Sequence, residues 1–128
     1  MSILEDSGLE LVEASTKRVV YRYEVSEPLT QIHGMLHGGI SAAIAEQAAS
    51  IGATEAAPDG FIALGTALET HHLRPVRVGT QCEAVAFPES DGGRLQVWRV
   101  EQRIVETNEL FNISTVSLYL KRVPTANN

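Results

Sequence analysis

Residues 31–50 read QIHGMLHGGISAAIAEQAAS and gather the side chains best able to do chemistry together. His37 precedes Gly38 and Gly39 where a helix begins, and nine residues after His37 comes a single carboxylate, Glu46. The first turn of a helix has unpaired amide N–H groups and a partial positive charge. Glycines there remove side-chain bulk, so a ligand oxygen can approach those amides. Gly38 and Gly39 thus read either as an anion or oxyanion site or as a merely flexible helix start. Along the helix Glu46 has Ala42, Ala49, Ser50 and Ala53 as neighbours, with the Ser50 hydroxyl one turn on. An acid among alanines, in a helix expected to be buried, is costly unless partnered and tends to mark function. The alternative is a surface edge with routine helix contacts. A base or nucleophile facing fixed donors is equipment for acyl transfer to water.

Other chemistries find less support. His33 and His37 are four residues apart, but the glycines between and after them argue against a helical pair. His71 and His72 are adjacent on an expected strand and must point to opposite faces. With no helical HxxxH and one cysteine, no metal site is expected. There is no G-x-S-x-G and no G-x-x-x-x-G-K-[ST]. Cys82 reads as a structural thiol, and Trp98 as core or interface.

The elements that must position these groups follow from periodicity and breakers. Residues 9–14 and 18–25 form an expected hairpin, with Val19, Tyr21, Tyr23 and Val25 alternating against Arg18, Arg22 and Glu24. Val20 breaks the polar side, which predicts cover on both faces, and Pro28 ends the strand. A glycine-bearing loop spans 29–36, and one long helix spans 37–57. Eight of the eighteen residues from Ile40 to Ala57 are alanine, so the helix can pack closely. APDG at 57–60 stops it. Strands are expected at 61–73, 80–88, 94–106 and 110–122, following one another in hairpin sequence. Gly65 in the first marks a bulge or close approach, and ESDGGR supplies a hairpin turn. The class is α+β: a curved antiparallel sheet of five to six strands wrapped around one central helix.

Bulk properties narrow the function classes. The 128 residues suit a single domain, 1–128, with its core at about 9–122. The net charge of −6 argues against nucleic acid as a partner. Residues 1–64 carry three Lys/Arg against nine Asp/Glu, and residues 65–128 carry seven of each. An anionic ligand is therefore expected on the second half. No apolar run approaches the roughly 20 residues of a membrane span. MSILEDSGLE lacks the basic flank and apolar stretch of a signal peptide, and Cys82 has no intrachain partner. A cytoplasmic location is the expectation.

Gln31, the His37-Gly38-Gly39 run, Glu46 and Ser50 together resemble the hotdog-fold acyl-CoA thioesterases that carry a glutamate on the central helix. HHLRPVRVG at 71–79 and GGRLQVWRVE at 92–101 are similar to two strand regions of the same family. Within that family the sequence resembles the 1,4-dihydroxy-2-naphthoyl-CoA hydrolases, then their PaaI-like and proofreading relatives and the glutamate-type 4-hydroxybenzoyl-CoA thioesterases. The resemblance implies hydrolysis of an acyl-CoA, with an aromatic acyl group, to free acid and CoA. Glu46 would be nucleophile or general base. Gly38, and with it Gly39, would polarise the thioester carbonyl. Gln31 would bond near the thioester, His37 would hold the loop, and Ser50 would orient water or the carboxylate. His72 and Arg74 would lie along the pantetheine channel, with Ser90, Gly93 and Arg94 near the phosphates. No cofactor is implied beyond the coenzyme A of the substrate. The resemblance further implies a homodimer with shared active sites, assembled into a homotetramer. Two other readings of the same fold are a non-catalytic acyl-CoA sensor and a hydratase.

Overall fold

The structure is a computed structural model that describes residues 3–90 and 92–124. A short helix α1 (Ile3–Asp6) precedes strands β1 (Glu10–Ala14) and β2 (Val19–Glu24) and a 3-10 turn, Glu27–Leu29. The long helix α2 (Gly38–Ala56) follows, then β3 (Phe61–His72), β4 (Gln81–Ser90), β5 (Leu95–Ile104) and β6 (Leu110–Arg122). All six strands form one antiparallel sheet in the order β1-β2-β4-β5-β6-β3. The α+β hotdog architecture expected from the sequence is the one observed. Asp91 of the β4–β5 turn lies outside the described residues.

One expectation is corrected. β3 does not hairpin onto β4; it runs along β6 at the outer edge, from Phe61 opposite Arg122 to His72 opposite Asn112. β4 instead pairs with β2. The segment 73–80 is too long for a tight turn, and Pro75 has no N–H to give a ladder. It crosses the end of the sheet and ties itself to the loop before α2, through Leu36 N–H to the Val76 carbonyl at 2.7 Å and a Met35–Arg77 bridge. This crossing walls the helix tip.

The small residues of α2 let it lie close on the sheet. Ala45, Ala48, Ala49, Gly52 and Ala53 are buried on that side. Gly52 sits against the Trp98 ring so tightly that a β-carbon there overlaps it. The inward phase of β2 is Val19, Tyr21 and Tyr23, and Val20 is also covered, as its sequence context predicts. The β5 phase is Gln96, Trp98, Val100 and Gln102, all buried. The outward phase carries charge ladders, with Arg22 on Glu83 at 2.8 Å and Glu101 clasped by Arg99 and Arg103 at 2.8 Å each.

Candidate active site

His37 is the N-cap of α2, in extended backbone, and its Nδ1 accepts the Gly39 N–H at 2.9 Å. This capping bond removes Gly39 from the pair of amides expected to face a carbonyl. The amide that remains is Gly38, first in the helix and without an i−4 carbonyl of the helix to receive it. The ring of His72, at the end of β3, stands directly beside it. A β-carbon on Gly38 would lie 2.8 Å from His72 Nε2, so a side chain there would push the exposed ring aside. His71 points to the other face, where its Nε2 lies 3.3 Å from Glu69, as strand alternation requires.

Gln31, Gly38, Ser41, His72 and Arg74 line a cleft of about 440 Å³ at this helix tip, with Met35, Leu36, Val76 and Phe111 giving its apolar wall. The Gln31 side-chain oxygen accepts the His33 N–H, which leaves its amide nitrogen as a donor. Arg74 is not a free cation: its guanidinium pairs with Glu109. Leu73 N–H on the Phe111 carbonyl, at 2.8 Å, fixes the strand end that carries His72.

Glu46 is elsewhere on the chain's surface. It is exposed, not buried as the alanine-rich setting suggested, because it projects from the flank of α2 that overhangs β3. Its carboxylate covers Gly65, where any β-carbon would overlap Oε2. Gly65 is thus a close approach, and the β3–β6 register also shifts between Gly65 and Ala67. Among the described residues no hydrogen bond or ion pair engages the Glu46 carboxylate. Ser50 is half-buried one turn further on. Glu46 follows Gly38 by eight residues, about 12 Å along the axis at 1.5 Å per residue. One chain therefore does not bring Glu46 and Ser50 together with Gly38, Gln31 and His72.

Gly93 and Arg94 belong to the far end of the helix, whereas Ser90 is exposed at the end of β4, opposite Val97, and does not join them. Gly93 and Arg94 line a second cavity, of about 380 Å³, with Ala56, Pro58 and Phe61. Two guanidiniums flank the Phe61 ring, Arg94 at 5.4 Å and Arg122 at 5.0 Å from its centroid. Arg122 was not singled out by the sequence; its signal is the alternation of β6, which brings it opposite Phe61.

A set of buried amides escaped the sequence reading altogether. Gln102 and Asn112 are fully buried and join the floor of the helix tip to His72 through side-chain hydrogen bonds. Cys82 is buried and its thiol is pushed up to about 12 by burial, so it is no nucleophile at neutral pH. No group of three or more His, Cys, Asp or Glu able to hold a metal occurs among the described residues. No helix among them is long and apolar enough to cross a membrane.

The Thioesterase superfamily profile matches residues 33–110, from the loop before the helix tip to the start of β6. The chain belongs to the thioesterase superfamily. It is 34% identical over 122 residues to the 1,4-dihydroxy-2-naphthoyl-CoA hydrolase of Listeria monocytogenes, covering 95% of this chain and 98% of that one. It is 42% identical over 93 residues to 1,4-dihydroxy-2-naphthoyl-CoA thioesterase 2 of Arabidopsis thaliana, covering 73% of this chain and 59% of the plant protein. Among solved structures, a thioesterase of Haemophilus influenzae superposes with a TM-score of 0.88 at 29% identity, over 99% of this chain and 87% of its own. The family resemblance read from the glutamate helix is borne out, and with it a thioester hydrolase on a hotdog fold.

Proposed function

We propose that this hydrolase cleaves aromatic acyl-CoA thioesters at sites shared by two protomers, with Glu46 from one and the Gly38 tip from its partner. The observation that carries this reading is the separation of Glu46 from Gly38 along one helix, combined with where each sits on β3. Glu46 covers Gly65, and Gly38 abuts His72, on the same edge strand. That edge is long and carries exposed Leu64 and Leu68. Two copies of β3 paired antiparallel, with a two-fold axis near Leu68 and Glu69, set Gly65 of each opposite His72 of the other. Strands in a sheet lie about 4.8 Å apart, so each Glu46 then overhangs its partner's helix tip.

In such a site the thioester carbonyl oxygen points at the Gly38 N–H, with the Gln31 amide beside it. Glu46 either takes a proton from water as the water oxygen adds to the carbonyl carbon, or adds to that carbon itself. In the first case the tetrahedral oxyanion collapses, the C–S bond breaks, and the thiolate of CoA recovers the proton from Glu46. In the second the C–S bond breaks as an acyl–Glu46 anhydride forms. Water then cleaves that anhydride to the free acid and the Glu46 carboxylate, the remaining proton of the water going to the thiolate. Ser50 orients the carboxylate or the water. Ala56, beside Gly93 and Arg94, is ten residues, about 15 Å, beyond Glu46 on the helix. Arg94 with Arg122 therefore suits the nucleotide phosphates better than Arg74, which already has Glu109. The Listeria and Arabidopsis names favour a bicyclic aromatic acyl group. Paired dimers and a cytoplasmic location complete the reading.

The test is thiol release from benzoyl-CoA and 1,4-dihydroxy-2-naphthoyl-CoA. Glu46→Gln is expected to lower kcat by roughly 10²–10⁴ with folding unchanged. Turnover at the parental rate in that variant overturns the reading. Oxygen-18 incorporation in a single turnover separates nucleophile from base.

A further inference from the structure

We infer that Asn112 is a positioning residue that holds His72 as the Nε2–H tautomer, making His72 a second donor to the thioester carbonyl beside Gly38. The inference rests on the proposed thioesterase site, but its first premise is structural and separate. It begins at a group that cannot be turned around. The Ser41 backbone carbonyl, in the first turns of α2, only accepts, and it receives Gln102 Nε2 at 2.9 Å. The Gln102 amide is thereby oriented. Its oxygen accepts the Tyr23 hydroxyl at 2.7 Å, and its nitrogen also faces Asn112 Oδ1 at 3.4 Å. Ser114 Oγ lies 2.9 Å from the same Oδ1 and 2.9 Å from Thr70 Oγ1, and its one proton serves one of the two. The oriented Gln102 N–H on that Oδ1 makes it the oxygen, so Asn112 Nδ2 is the end that faces β3. There it donates to Thr70 Oγ1 at 2.9 Å and reaches His72 Nδ1 at 3.1 Å.

A donor facing Nδ1 requires that nitrogen to be bare, and a neutral imidazole with bare Nδ1 carries its proton on Nε2. Nε2 is the atom packed beside Gly38, in the cleft that Gln31 also lines. Gln102 and Asn112 are fully buried, and Ser114 nearly so. Such a network is costly to maintain unless every member is satisfied, and satisfied it fixes a single arrangement. It also couples the two donors: Gln102 grips the helix turn that presents Gly38, while Asn112 grips the ring beside it.

Two measurements test this. Long-range proton–nitrogen correlation spectra of the imidazoles, assigned with His72→Gln, are expected to show His72 protonated at Nε2 in the parent protein. An Asn112→Asp chain, whose carboxylate accepts from Nδ1–H, is expected to show Nδ1 protonated. With benzoyl-CoA its kcat is expected to fall about 10- to 100-fold, the range for residues that orient an active group, with KM little changed. His72→Gln keeps an N–H donor on a shorter side chain and is expected to retain more kcat than His72→Ala. Nδ1–H in the parent overturns the inference whether or not Asn112→Asp folds. Full kcat in Asn112→Asp with a switched tautomer overturns it equally. Loss of the shared-site reading shows separately, as a Glu46→Gln chain that keeps its turnover.

Discussion

The Glu46 carboxylate rests on Gly65, in the space that a β-carbon on that strand residue would fill. The overlapping atoms are the far end of a flexible, exposed side chain, so an intruding methyl displaces the carboxylate instead of straining the core. Gly65→Ala is expected to leave the urea midpoint nearly unchanged, within about 0.5 kcal/mol. It is expected to lower kcat by about 10², since a displacement of the order of 1 Å can cost that much. Equilibrium melts and thiol-release kinetics on one preparation check both halves.

Gly52 supplies the contrast. The group it meets is the fully buried Trp98 ring, held by its indole N–H on Gln96 at 2.9 Å. Helix propensity alone favours alanine by about 1 kcal/mol. Overpacking a rigid core costs about 1–3 kcal/mol and more when nothing can give. Gly52→Ala is therefore expected to be net destabilising, read as a lower urea midpoint with an unchanged slope.

If the site is split between chains, two dead proteins can make one live site. Mixing Glu46→Gln chains with Gln31→Ala chains, unfolding and refolding them together, leaves one parental site in each mixed pair. About a quarter of parental activity is expected from an equal mixture, because half the pairs are mixed and each restores one site of two. A site within one chain recovers none.

Alkali should weaken the fold. Burial raises the Tyr23 hydroxyl well above its usual value and the Cys82 thiol to about 12, from 9.0. The folded chain keeps these protons while the unfolded chain releases them, so the stabilisation is full below pH 9 and lost as pH climbs towards 12. Urea midpoints measured across that window should fall, and less steeply for Cys82→Ala. A thiol reagent should leave the native Cys82 untouched at neutral pH.

On the acid side Glu101 has the opposite sign. The Arg99 hydrogen bond, opposed by burial and aided by Arg103, holds its carboxyl below the ordinary value of 4.5. Its contribution is present above that value and lost as pH falls through the lowered one. Glu101→Gln should flatten the acid limb of stability against pH, measured by urea midpoints.

The sequence disclosed the elements because each obeys a local rule: period two in β2 and β5, alanine content and HGG in α2, APDG at its end. Gly65 announced a close approach by being a glycine within a strand. The edge position of β3 stayed hidden, since pairing with β6 depends on contacts far apart in the chain. So did the exposure of Glu46, because alanines around an acid do not tell which flank meets the sheet. Gln96 and Gln102 fall on the same inward phase as Trp98 and Val100, and two amides in an apolar phase were a readable sign of a buried network. Asn112 could be placed in it only once His72 and Thr70 were known to lie beside it.

The long bare rim of β3, with its leucines turned outward, has a cost of its own. A strand so presented is a template for any extended peptide it meets, including stray segments of half-folded copies. An overproduced chain is therefore expected to clump, and slow, cool synthesis is expected to yield more usable protein than a rapid burst.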